Sequence, residues 1–182
     1  MKKRTLSLIL VMALVLVVPF ASASSPSVDN DAMYDVIPGV ESVIITVLPE
    51  TETSQEVLAD ITAAIEGDKP VVSAYFAEQA LDIQALLPVG TDVDTLKLFE
   101  LATLMVSGYT ADMGPLTVKL TFPTAFEYGK PVVVMVGLVQ GEDIVWEALI
   151  GSVDFEGNLL VTMPADLLLK VQAGEAVVAV LQ

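Results

Sequence analysis

From Thr95 to Gln182 the chain alternates short β-branched runs with glycine-containing turns, at intervals of roughly 8–12 residues, and that cadence constrains the fold more than any other feature. Val132-Val-Val-Met-Val136 has no polar member and reads as a strand buried on both faces. Ile144 to Ile150 alternates instead, so Ile144, Trp146, Ala148 and Ile150 share one face. Tyr128-Gly-Lys-Pro131 and Gln140-Gly-Glu-Asp143 are turn signals between such runs, and Glu156-Gly-Asn158 is a tight-turn signal joining Ser152–Phe155 to Leu159–Thr162. Thr95–Val106 reads as a strand with Leu96, Leu98, Ala102, Leu104 and Val106 on one side. Ser107–Pro115 then reads as a hairpin loop into Leu116–Phe122. Pro164 opens a short helix, with Asp166 and Lys170 placed to complement its dipole, Gly174 closes it, and Ala176–Leu181 is the last strand. The pattern predicts an antiparallel, β-sandwich-like (Ig-like) portion with a short helix before its final strand.

The preceding part, about residues 36–90, mixes strand and helix. Ser42–Leu48 is β-branched and stops at Pro49. Thr53-Ser-Gln-Glu56 fits a capping box, followed by Val57, Leu58, Ile61 and Ile65 at helical spacing and by Gly67 as a closing glycine. Pro70–Tyr75 reads as extended. Phe76, Ala80, Ile83 and Leu87 then line one face of a second helix that Pro88 ends. No linker composition separates this part from residues 95–182, and no fixed-period repeat occurs. The expected fold class is α+β: a strand-helix region followed by the β-rich portion, in a single unit over residues 36–182.

Residues 1–23 have a different character. Lys2-Lys3-Arg4, the apolar run Leu8–Val18 and the small residues Ala21-Ser-Ala23 make the three parts of a secretory signal peptide, with cleavage expected before Ser24. The apolar run is shorter than the ~20 residues a membrane-spanning helix needs, so no membrane insertion is expected after cleavage. Residues 24–35, polar and rich in Ser and Asp, read as a flexible leader. Cleavage leaves five lysines against 24 carboxylates, a formal charge of −19 with neither Arg nor His. That charge opposes nucleic acid and anionic lipid. There is no cysteine, so hydrophobic burial alone must hold an exported fold that could have used disulfides. The expected location is extracellular, or the cell envelope if something else retains the protein.

Leu96, Leu98 and Glu100, Gly108-Tyr109, Thr121-Phe-Pro-Thr124, Val132–Gly137, Trp146 with Leu149, and Thr162–Leu168 form a series of packing and turn landmarks. Through them, Leu87 to Gln182 resembles small secreted or surface modules of Gram-positive, gut-type bacteria. The resemblance implies a secreted β-rich module with no established activity, and it supplies no site residues.

Residue types limit the chemistry. Without His or Cys the chain lacks Ser-His-Asp and Cys-His apparatus, the common zinc ligands and the usual general base near neutrality. Ser107-Gly108 and Gly151-Ser152 form no nucleophile elbow, and no phosphate-binding glycine motif occurs. Calcium would suit carboxylate clusters, of which there are three: Asp29-Asn30-Asp31 with Asp35, Asp92 with Asp94, and Glu142-Asp143. None has EF-hand spacing, and solvated acidic loops account for them. Trp146, Tyr34, Tyr75, Tyr109 and Tyr128 could stack on sugars. Trp146 lies among apolar neighbours and is expected in the core, whereas Tyr109 and Tyr128 fall in expected loops. Met105, Met113, Met135 and Met163 are expected as core filler. No catalytic, cofactor-binding or metal residue is assigned, and no cofactor is expected. The function these features imply is a secreted, non-enzymatic interaction or structural module with a protein or glycan partner. The alternative is a carboxylate-based extracellular glycan hydrolase.

Overall fold

The computed structural model describes residues 43–48, 51–122, 126–141 and 143–182. The expected signal peptide and leader lie outside them, as do Asp29, Asn30, Asp31, Tyr34, Asp35 and Glu142.

Among the described residues, seven strands and four helices run in the order β1 (Ile44–Leu48), α1 (Glu52–Ala64), α2 (Val71–Ala74), α3 (Ala80–Leu86), β2 (Leu98–Ser107), β3 (Leu116–Leu120), β4 (Val132–Gln140), β5 (Asp143–Val153), β6 (Leu159–Met163), α4 (Ala165–Ala173) and β7 (Ala176–Leu181). The strands form one curled, half-barrel sheet with the spatial order β1-β2-β7-β4-β5-β6-β3. Every pairing in it is antiparallel. The α+β class is as expected. The two facing sheets of an Ig-like sandwich are not found among the described residues, because all seven strands share one sheet. A curled sheet buries its inner face against itself and one helix, and the strand-turn cadence is the same in either architecture.

Two cores result. The concave side gathers Ile45 and Val47 of β1, Leu104 of β2, Val118 of β3, Val134 and Val136 of β4, Val161 of β6 and Val178 of β7, with Leu167, Leu168 and Val171 of α4 filling the trough. The convex side carries Val133 and Met135 of β4 and Val177, Ala179 and Leu181 of β7, covered by Val57 and Ile61 of α1, Val71 and Val72 of α2 and Ile83 of α3. β4 and β7 are therefore sandwiched between the cores, which is why both read as unbroken apolar runs.

Several local expectations are corrected. The helix α1 is capped by Thr51, not Thr53: Thr51 Oγ1 accepts from the Ser54 amide, and Ser54 Oγ accepts from the Thr51 amide at 2.9 Å. Two capping frames overlap in this stretch, and the earlier one wins because the Thr51 hydroxyl also meets that of buried Thr103 on β2. The helix reaches its cap at Ile65, and Gly67, at φ +81°, takes the reversal. Pro70–Tyr75 is not extended. Pro70 serves as N-cap to α2, whose Val71 and Val72 are both buried, so tertiary packing overrides the β-branched preference. The second helix is split, with a 3-10 turn at Ala77–Gln79 before α3, yet Phe76, Ile83 and Leu87 are buried together as the spacing implied.

In β2 the register shifts between Leu98 and Glu100. This bulge reverses side-chain parity. Leu96 and Leu98 therefore join the convex core, while Ala102, Leu104 and Val106 face the concave one, instead of all five sharing a side. Ser107–Pro115 is no hairpin loop. β2 pairs with β1 and β7, and β3 pairs with β6 at the far edge, so this segment crosses from one side of the sheet to the other. Tyr109 anchors the crossing: its ring is buried, its hydroxyl donates to the Gly114 carbonyl at 2.7 Å, and its amide donates to Gln172 Oε1 at 2.7 Å. Among the methionines, Met135 and Met163 are fully buried and Met113 partly so, whereas Met105 is exposed on the convex face.

Candidate interaction surface

The helices α1 to α3 cover the convex face only as far as the middle of β5. Beyond them, β5, β6 and β3 present Ile150, Ser152, Leu160, Thr162 and Thr117 to the outside. A shallow groove runs here, about 570 Å3 in volume, floored by Ile150–Val153. One wall is the end of α3 with Leu87 and Pro88, and the other is the turn Tyr128–Pro131. It continues past Leu86, Ile150 and Ser152 into a second hollow of about 410 Å3 toward Thr117 and Thr162. Among the described residues, no carboxylate lines either part. The one lysine in the lining, Lys130, is paired with Glu127 at 2.6 Å.

Two aromatic rings stand at this end of the sheet. Tyr128 is 73% exposed and Phe155 89% exposed. Both sit on turns tied down by the backbone. The Lys130 amide donates to the Glu127 carbonyl at 3.2 Å. In the β5–β6 turn, Asp154 Oδ1 accepts from the amides of Glu156 and Asn158, each at 2.9 Å, and the Asn158 side-chain amide donates to the same carboxylate. Lys119 lies beside it, 3.2 Å from Glu156 and 3.6 Å from Asp154. The hydrogen bonds from Asn158 hold the Asp154 carboxyl below the usual carboxylate value, and the Glu156 contact holds the Lys119 ammonium above the usual one. The two turns are stitched together by the Phe126 amide, which donates to the Gly157 carbonyl at 3.3 Å. Phe155, expected to end a strand, instead occupies the hairpin tip, since β5 stops at Val153.

Of the other aromatic candidates, Trp146, Tyr75 and Tyr109 pack within the fold, and Tyr34 lies outside the described residues. Trp146 is half-buried on the convex face, with edge-on contacts to Phe76 at 5.1 Å and Tyr75 at 6.2 Å between ring centroids. Burial and the nearby Asp60 charge keep the Tyr75 phenol protonated above its ordinary range. Trp146 lies over Gly137, where an added Cβ would meet its ring at 2.8 Å.

The carboxylate pairs have local uses. Asp92 caps a 3-10 turn by accepting from the Asp94 amide at 3.0 Å, and Asp94 accepts from the Ser73 hydroxyl. Asp143 opens β5, and its neighbour Glu142 is outside the described residues. Among the described residues no group of three or more acidic side chains is arranged to hold a metal ion. Among them, too, no helix is long and apolar enough to cross a membrane. No family model, no curated protein and no solved structure matches this chain.

Proposed function

We propose that this is a secreted, non-enzymatic interaction module of the extracellular space or cell envelope. In this reading it is exported through the signal peptide at residues 1–23 and binds a protein or glycan partner at the groove beside Tyr128 and Phe155. One observation carries the reading: two aromatic rings are kept in solvent on adjacent hydrogen-bonded turns, Tyr128 in the wall of a groove that no carboxylate among the described residues lines and Phe155 on the neighbouring β5–β6 turn. Exposing a Phe ring forgoes roughly 1.5–3 kcal/mol of burial, a cost a binding partner would recover. Ordered turns also lower the entropy lost on binding. The alternative, a glycan hydrolase, needs two carboxylates about 5–10 Å apart across a cleft, and it draws no support from a groove lined by none.

The test is retention on isolated cell envelope and on immobilised glycans. The wild-type protein should be retained on one of them, and the double variant Phe155→Ala, Tyr128→Ala should be released while its circular dichroism and melting temperature stay unchanged. Equal retention of the two proteins would place recognition elsewhere. Release of reducing sugar from envelope glycan by the purified protein would favour the hydrolase.

A further inference from the structure

We infer that the outer edge of β3 pairs with the same strand of a second copy, antiparallel about Val118, joining the two sheets into one. Strand β3 ends the sheet order and, among the described residues, pairs with β6 alone. Its other edge therefore offers a row of backbone donors and acceptors. Proteins usually blunt such an edge with an internal proline, a bulge, an inward-pointing charge or a covering element. Leu116-Thr-Val-Lys-Leu120 has no proline, matches β6 residue for residue without a bulge, and turns Leu116, Val118 and Leu120 inward.

Charge favours a copy of the same edge. From Met113 to Phe122 there is no acidic residue, in a chain of net charge −16, so the strand itself brings no carboxylate to the pairing. The strand's one charge, Lys119, is already countered by Glu156 and Asp154. The register follows from the side chains. A two-fold centred on Lys119 would set two lysines directly opposite, a repulsive pair. One centred on Thr117 would bring Pro115, which has no N–H, into the ladder. Centring on Val118 avoids both: Leu116 faces Leu120 of the second copy, Thr117 faces its Lys119, and the apolar residues stay on the concave side.

The experiment is sedimentation equilibrium on the protein in the form the cell accumulates, over a wide concentration range. Wild-type protein should dimerise reversibly. Thr117 is half-exposed and, among the described residues, its side chain meets the Thr162 hydroxyl of β6 at 2.8 Å, so Thr117→Lys and Thr117→Glu lose the same intramolecular contact and differ chiefly in charge. Each places its new charge opposite Lys119 twice in the symmetric pair. Thr117→Lys should weaken dimerisation about 2- to 30-fold, and Thr117→Glu should strengthen it by a similar factor. Hydrogen exchange should show protection of β3 amides that rises with protein concentration. A wild-type protein that stays monomeric throughout overturns the proposal. So does a dimer whose affinity moves the same way, or not at all, in the two variants.

Discussion

Gly137→Ala tests whether the aromatic cluster on the convex face is packed as tightly as its geometry implies. Gly137 lies in β4 opposite Trp146 of β5. A Cβ built there falls 2.6 Å from Ile144 Cγ2, 2.8 Å from Trp146 Cζ3 and 2.9 Å from Trp146 Cε3. None of these atoms can swing aside freely. Ile144 is β-branched and stiff at χ1, and the indole is held by the rings of Phe76 and Tyr75. Overpacking of this kind costs about 1–3 kcal/mol. Replacing glycine within a strand returns about 0.5–1 kcal/mol of backbone entropy. Contacts of 2.6–2.9 Å put the cost in the upper half of that range, so the net loss should be about 1–2 kcal/mol, which for a chain of this length lowers the melting temperature by about 2–8 °C.

The assay is urea unfolding followed by fluorescence, because Trp146 is the only tryptophan and reports on its own displacement. The variant should unfold at lower urea with a red-shifted native emission. In a Trp146→Ala background, followed by circular dichroism, the cost of Gly137→Ala should shrink, since one of the two clashing partners has gone. A melting temperature equal to or above wild type in the single variant would refute the argument, since it would mean the ring has room to move.

The capping frame gives a paired prediction: Thr51→Ala should destabilise by about 1–2 kcal/mol, while Thr53→Ala should stay within about 0.5 kcal/mol, both read from chemical denaturation. Asp154 sets an acid limb. Its folded carboxyl sits below the ordinary value of 3.8, so its contribution is present above that value and is lost as pH falls through the lower, folded one. Asp154→Asn should flatten the stability-pH curve on the acid side, and an unchanged slope there would count against the turn network. For export, intact-mass analysis of the released protein should find Ser24 at its N-terminus, and recovery from the cytosol with Met1 retained would contradict the signal-peptide reading.

Much of the fold can be read from the residues, because burial leaves a periodic trace. The strand β7 is found over Ala176–Leu181 as expected, and the alternation in β5 sets Ile144, Trp146, Ala148 and Ile150 opposite Val139, Gly137, Met135 and Val133 of β4. What could not be read was which strands pair. Ser107–Pro115 has the glycine, asparagine-like polarity and length of a hairpin loop, yet it crosses the sheet. The choice rests on long-range contacts, such as Tyr109 with Gln172 of α4, that no local pattern encodes. Likewise the β2 bulge reverses the faces of Leu96 and Leu98 without any glycine or proline to announce it.

The groove was harder still to foresee, for a physical reason. Catalytic and metal sites concentrate unusual residue types, whereas a recognition surface made of Tyr, Phe, Pro and Ile uses the same residues as a core. Only exposure separates the two, and exposure is a property of the folded chain. Tyr128 could be singled out because a glycine and a proline mark its turn. Phe155 could not, since a phenylalanine following Ser152-Val-Asp reads as the end of a buried strand. The informative signal lay in its neighbours: Asp154, Gly157 and Asn158 are the residues of a side-chain-capped turn, and a turn so built cannot also bury the ring at its tip.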